Sequence, residues 1–337
     1  MKRPSAGLGG PNNPAGYPQS VRLKPRRLRP GATFGVVAPA SPLYNRGDLA
    51  RATAVLTRLG FQVKPGQHVR DRHGYLAGSD QARADDFMHV WCDPEVDAII
   101  CLRGGYGSAR IIDRLEFADL AARPKPFVGF SDITALHLAL GRRANLVTFY
   151  GPMMLSLARP GVSSYTLDGL VKALSQAEPL GVVPPNPDDP WVETLTGGVA
   201  EGELVGGCLT LLAQALGTAD QPDWRGKIVF FEDVKAEPYQ IDAALTQLLR
   251  TGAFDGVAGI IVGEHADVGP RAYRAAFPST LSLEDVLDDL LRPLGVPTIY
   301  NLPLGHGPHL ATLPLGVHAR LDANDGRLEL VESALGD

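Results

Sequence analysis

The chain has 337 residues, 45% hydrophobic and 20% charged, which implies a globular fold long enough for two domains. Its net charge is −5, yet Met1 to Arg29 holds seven Lys or Arg and no acid, so removing that +7 leaves −12 on the remainder and argues against a nucleic-acid partner. No run approaches the roughly 20 apolar residues of a membrane span, no apolar secretory segment follows the basic start, and Cys92, Cys101 and Cys208 fit neither a disulfide framework nor a zinc site. These features predict a cytoplasmic protein with no membrane contact, metal or cofactor.

Residues 1–29, with the run Gly9-Gly10-Pro11-Asn12-Asn13-Pro14, cannot bury a core and read as a disordered basic tail. An N-terminal α/β domain is expected over 30–155. Its strands are predicted at 33–38, 61–63, 98–102 and 125–130, and its helices at 48–59, 80–91, 108–115 and from Asp132 onward. Such alternation specifies a parallel sheet with helices on both faces. Ligands bind outside the carboxyl ends of strands in such sheets. Three loops fall there: Ala38-Pro39-Ala40-Ser41, Arg103-Gly104-Gly105-Tyr106-Gly107 and the one holding Ser131.

Residues 156–198 loosen into Pro184-Pro185-Asn186-Pro187-Asp188-Asp189-Pro190 and read as a linker and surface excursion. A smaller, mixed α/β C-terminal domain is expected over 199–337, with strands at 202–205, 227–231, 259–263 and 327–331. Helices are predicted at 209–216 and 241–250, and Ser282-Leu283-Glu284-Asp285 signals the start of another.

Three segments bring chemistry to the ends of apolar runs. In Gly129-Phe130-Ser131-Asp132 a buried strand meets a helix with no gap, so Ser131 sits on a sharp turn with its hydroxyl thrown outward, as in a nucleophile elbow. Residue type alone favours a plain helix cap, and Ile133 stands where the full elbow pattern has a second glycine. Leu304-Gly305-His306-Gly307 puts a histidine between two glycines on an irregular segment, with His309 as a competing base. An imidazole, which titrates near pH 6.5 in water, can take a serine proton and return it to a leaving amine. Phe230-Phe231-Glu232-Asp233 supplies an acid to orient that imidazole, Glu232 ahead of the ambiguous Asp233. Glu237-Pro238-Tyr239 reads as a structural turn. Backbone N–H groups of the 104–107 loop, Gly105 among them, and of Asp132 can receive an oxyanion. The loop lacks the spacing and the Lys-Ser or Lys-Thr partner of a phosphate cradle.

Together these segments resemble the LD-carboxypeptidases, a serine peptidase family that trims the terminal D-alanine from cytoplasmic murein tetrapeptides in cell-wall recycling. The resemblance runs from about Pro30 to Leu330. It includes Ala38-Pro39-Ala40-Ser41-Pro42, Gly74-Tyr75-Leu76-Ala77-Gly78, Arg103-Gly104-Gly105-Tyr106-Gly107 and Gly129-Phe130-Ser131-Asp132. It continues through Gly206-Gly207-Cys208-Leu209, Glu232-Asp233 with Glu237-Pro238-Tyr239-Gln240-Ile241-Asp242, and Gly305-His306-Gly307. It implies Ser131 as nucleophile, Glu232 and His306 as its relay, a class I amidotransferase-like N-terminal domain, a swivelling C-terminal domain and a homodimer. Two features depart from it: Cys208 stands where a polar Asn is expected, and the basic tail has no family role.

Nucleophile and base fall on different domains, so Ser131 and His306 are expected to stand apart until the domains close on substrate. Arg103 and Tyr106 are the candidate substrate-binding residues, Arg103 for a peptide carboxylate. Three other readings stand beside a murein carboxypeptidase. They are a microcin-immunity-type hydrolase of peptidyl or aminoacyl nucleotides with the same triad, a cysteine amidotransferase using Cys208, and a non-catalytic small-ligand binder.

Overall fold

A computed structural model describes residues 22–269 and 275–336. The first half is an alternating walk: β1 (Thr33–Val37), α1 (Gly47–Arg58), β2 (Gln62–Pro65), α2 (Asp80–Cys92), β3 (Ala98–Cys101), α3 (Phe117–Ala122), β4 (Phe127–Gly129), α4 (Thr134–Arg143) and β5 (Thr148–Tyr150). The expected strands correspond to β1 to β4 and the expected helices to α1, α2 and α4, with β3 and β4 the fully buried apolar runs, whereas α3 and β5 lie outside the expected elements. Ser79 caps α2 by accepting the Ala82 N–H, as its position before the helix requires. Residues 108–114, expected as an ordinary helix, form a 3-10 helix.

The second half opens with α5 (Met154–Leu157), α6 (Ser164–Ser175), β6 (Gly181–Val182) and β7 (Glu193–Thr196). It continues through β8 (Val199–Cys208), α7 (Leu209–Gln214), β9 (Ile228–Glu232), α8 (Pro238–Arg250), β10 (Gly259–Gly263), α9 (Leu283–Leu291) and β11 (Thr298–Leu302). It ends with β12 (Leu313–Leu315), β13 (His318–Asp322) and β14 (Arg327–Leu330). The first sheet runs β12-β5-β4-β3-β1-β2, parallel except for β12, and the second runs β6-β14-β13-β8-β9-β10-β11-β7, with parallel β8 to β11 between antiparallel flanks.

Three expected boundaries are corrected. Residues 22–29 are not a free tail: Leu23 bridges to Leu146, the Leu28 N–H donates to Leu174, Leu28 is buried, and Arg22 pairs with Glu203. Residues 1–21, the rest of that expectation, lie outside the described residues. The span 156–198 is no mere linker, since it carries α6 and both edge strands of the second sheet. Finally, β12 leaves the C-terminal half to pair with β5, so the first sheet takes a strand from beyond residue 199. These edge pairings were invisible because a two- to four-residue strand carries too little alternation to be read.

In the second sheet alternation decides what faces the first domain. Ile228, Phe230 and Ile261 join the apolar core shared with the first sheet, while Val229, Phe231, Ile260 and Val262 point the other way, into the core under α7, α8 and α9. Glu232, two residues after Phe230, therefore continues the face turned to the first sheet. The seam is close. A Cβ on Gly207 would stand 2.5 Å from Thr134 Cγ2, and the Cys208 N–H donates to Thr134 Oγ1 at 2.9 Å. Arg143 of α4 grips Asp220 of the second half through Nε and Nη2 at 2.6 and 2.7 Å.

His137 of α4 lies fully inside this frame, beneath the strand that leads to Ser131. Its Nε2–H donates to the Gly129 carbonyl at 2.8 Å, and its Nδ1 accepts from the Thr148 hydroxyl at 2.9 Å. Burial drives its pKa down to about 4 from an ordinary 6.5. The unfolded chain therefore takes up a proton first as pH falls. The stability tied to the neutral ring is complete above pH 6.5 and is lost progressively toward pH 4. We predict that urea unfolding between pH 7 and pH 4 costs the native protein on the order of 3 kcal/mol more stability than it costs a His137→Gln variant. Equal losses in both would contradict the assignment.

Candidate active site

β4 ends at Gly129, Phe130 remains extended, and Ser131 turns into a left-handed conformation with φ +65° at the head of a 3-10 turn over 131–133. A non-glycine residue there costs about 1–3 kcal/mol and persists only where its surroundings hold it. The absent second glycine is explained locally. Ile133 packs onto Gly129, where a Cβ would approach Ile133 Cγ2 to 2.7 Å, so the glycine before the serine supplies the room. Asp132 is buried and its carboxylate accepts the Ser108 N–H at 2.9 Å, while the Ser108 hydroxyl donates to the Asp132 carbonyl at 2.6 Å. This pair of bonds ties the 103–107 loop to the elbow.

His306 arrives on the loop after β11. Gly305 before it has φ +98°, and a Cβ there would lie 2.0 Å from Glu232 Oε2, so no larger residue fits. The His306 Nδ1–H donates to Glu232 Oε2 at 2.8 Å, which leaves Nε2 to accept the Ser131 hydroxyl proton at 3.1 Å. This tautomer follows from the partners, since a carboxylate can only accept. The Phe130 ring packs against the imidazole in a tilted arrangement, with centroids 4.8 Å apart and planes inclined at 58°. Glu232 is fully buried and receives a second donor, the Tyr150 hydroxyl, on Oε1 at 2.5 Å. The expected separation of Ser131 from His306 is not what the structure has: the pair stands bonded, and no domain closure is needed to assemble the relay.

Beside Ser131 the 103–107 loop leaves a gap. A Cβ on Gly104 would lie 3.1 Å from Ser131 Oγ and 3.2 Å from the Asp132 nitrogen, a point where an oxyanion formed on Ser131 could reach that N–H. Gly105 follows with φ +110°, and its missing side chain makes room for Ser41 Oγ, which accepts the Tyr106 N–H at 3.2 Å. Arg103 and Tyr106 lie on the rim. The Arg103 guanidinium donates to the carbonyls of Pro42 and Gly104 and sits 5.5 Å over the Tyr44 ring, and the exposed Tyr106 meets Tyr75 edge-on.

The competing residues have other partners. Asp233 accepts from the Thr210 N–H and hydroxyl at 3.0 and 2.6 Å, and His309 pairs with Asp188 at 2.8 Å. Glu237 caps α8. Cys208 is buried with its thiol pushed well above the ordinary value by burial beside Glu232 and Asp233, which disfavours the thiolate a cysteine nucleophile needs. Among the described residues no group of His, Cys, Asp or Glu could hold a metal, and no helix is long and apolar enough to cross a membrane. Sequence reasoning missed Tyr150 and the Asp132 carboxylate. The available signal for Tyr150 was its place at the end of an apolar strand, in Thr148-Phe149-Tyr150-Gly151.

The chain matches the LD-carboxypeptidase N-terminal domain over residues 34–151 and the LD-carboxypeptidase C-terminal domain over 201–321. A putative carboxypeptidase of Streptomyces coelicolor is 42% identical, the match covering 93% of this chain and 97% of the relative. A probable murein peptide carboxypeptidase of Bacillus subtilis is 37% identical, covering 94% and 97%. Among solved structures, a microcin C7 self-immunity protein in complex with aspartyl sulfamoyl adenosine superposes with a TM-score of 0.83 at 25% identity, covering 93% of this chain and all of that one.

Gly104→Ala tests the gap beside the serine. We predict an unchanged fold by circular dichroism and a loss of about 100-fold or more in the rate at which a fluorophosphonate reacts with the protein. A wild-type rate would show that no oxyanion is held there.

Proposed function

The chain belongs to the LD-carboxypeptidase family of serine peptidases, and on that premise we propose that it hydrolyses the L,D-peptide bond to the terminal D-alanine of murein tetrapeptides. One observation carries the reading. Ser131, His306 and Glu232, from three separate segments, stand in series at 3.1 and 2.8 Å, with the serine on a strained elbow.

In the proposed cycle the Ser131 oxygen attacks the scissile carbonyl as its proton passes to His306 Nε2. Glu232 holds the resulting imidazolium without taking the proton. The negative oxygen of the tetrahedral intermediate is received by the N–H groups of Asp132 and Gly105. The C–N bond then breaks as the imidazolium returns the proton to the amine of the leaving D-alanine, and Ser131 is left as an ester of the peptide. Water, deprotonated by the same imidazole, attacks that ester and releases the shortened peptide with a new carboxylate. Arg103 offers a cation to the substrate's carboxylates at the rim, and the exposed Tyr106 offers a flat apolar face.

The murein peptide named for the Bacillus subtilis relative supports this substrate class. Cytoplasmic location and a homodimer belong to the same reading. The likeness to the microcin self-immunity protein supports a second one, hydrolysis of aminoacyl-nucleotide analogues by the same relay.

With free murein tetrapeptide, mass spectrometry should follow the loss of one alanine, and Ser131→Ala should lower turnover at least about 10⁴-fold. An intact tetrapeptide alongside a cleaved aminoacyl sulfamoyl nucleotide would move the assignment to the second reading. Undiminished hydrolysis by Ser131→Ala would overturn the nucleophile.

A further inference from the structure

Beside the relay lies a buried ionisable group that the cycle above leaves unused. Tyr150 ends β5 on the first sheet and is fully buried. Its hydroxyl donates to Glu232 Oε1 at 2.5 Å and accepts the Ser131 N–H at 3.3 Å. These contacts close a ring of four residues: Ser131 to His306, His306 to Glu232, Glu232 to Tyr150, and Tyr150 back to Ser131.

Each contact meets a physical need. Glu232 is a carboxylate without solvent, and His306 reaches one of its oxygens; the other would be a buried, unsatisfied acceptor, free to rotate the group away from the imidazole. Ser131 is held in a backbone conformation that its own side chain disfavours, and its N–H is anchored on the same phenolic oxygen. The ring is held by Phe230 at 5.1 Å, His137 at 5.9 Å and Phe130 at 6.0 Å, so the hydroxyl has little freedom to leave. Burial and the neighbouring carboxylate push the phenol well above its ordinary pKa, which keeps it a donor at neutral pH.

We propose that Tyr150 is a positioning residue of the relay, its one hydroxyl fixing the Glu232 carboxylate and the Ser131 backbone together across the seam between the two sheets. It touches neither the reacting carbonyl nor the proton in flight. It sets where the acid points, and therefore how His306 presents Nε2 to the serine.

The inference rests on the hydrolase reading of the site, and two readouts keep the two apart. The rate at which a fluorophosphonate modifies Ser131 reports relay assembly without any murein substrate, and kcat and KM on the tetrapeptide report it within turnover. Tyr150→Phe preserves the ring and deletes the hydroxyl. We expect an unshifted circular dichroism spectrum, a phosphonylation rate about 10- to 100-fold lower, the size expected for one hydrogen bond to a charged group, and the same fall in kcat with KM within about 2-fold. Replacing Tyr150 with 4-aminophenylalanine returns a donor of similar shape and should recover part of the lost rate, which also serves if the Phe variant folds poorly. A wild-type phosphonylation rate in Tyr150→Phe, a loss confined to KM, or no recovery with the amino analogue would overturn the assignment. If the tetrapeptide proves not to be a substrate, the phosphonylation result still decides the role of Tyr150.

Discussion

A carboxylate with no access to water organises this molecule. Glu232 sits at the carboxyl end of β9, in the middle of the second sheet, on the face that strand alternation turns toward the first. An unpaired ion in such a place costs several kcal/mol, so it persists only where donors reach both oxygens. One donor comes from the loop after β11 and the other from β5 of the opposite sheet. The charge therefore requires both halves of the chain to be docked. Once docked, it leaves the imidazole of His306 a single way to face.

The seam is built to bring those groups close. Gly206 and Gly207 let β8 approach Phe230 and Thr134 nearer than any side chain would permit, and the Arg143 pair with Asp220 fixes the end of α4 against the second half. The return of β12 to the first sheet ties the halves by backbone strand pairing as well as by side-chain packing. Against that rigid background the Ser131 turn can hold its strained backbone. The bonds of Ser108 with Asp132 extend the same rigidity to the loop that receives an oxyanion.

Much of this was legible in the residues. Apolar runs ending in Ser131 and Glu232, and a histidine between glycines at 306, each announced a side chain placed at a strand end or on a deliberate loop. Alternating elements marked β1 to β4 of the first sheet and its reactive edge, but not β5. What escaped was what depends on three-dimensional pairing: the short strands β6, β7 and β12, the packing of residues 22–29, and the bonded state of Ser131 with His306. Tyr150 escaped for a related reason. A tyrosine closing an apolar strand reads as core, and its hydroxyl acquires a task only when β5 and β9 are seen to face each other. Ile133, read as a departure from the elbow pattern, turned out to fit because Gly129 yields the space.

Everything in the relay depends on the buried Glu232 carboxylate making Ser131 a nucleophile through His306. Peptide mapping by mass spectrometry after fluorophosphonate treatment, run in parallel on the native protein and on Glu232→Gln, tests it. We predict a single adduct on Ser131 in the native protein and strongly slowed modification of the same residue in the variant. An adduct on another residue, or equal rates in the two proteins, would contradict it.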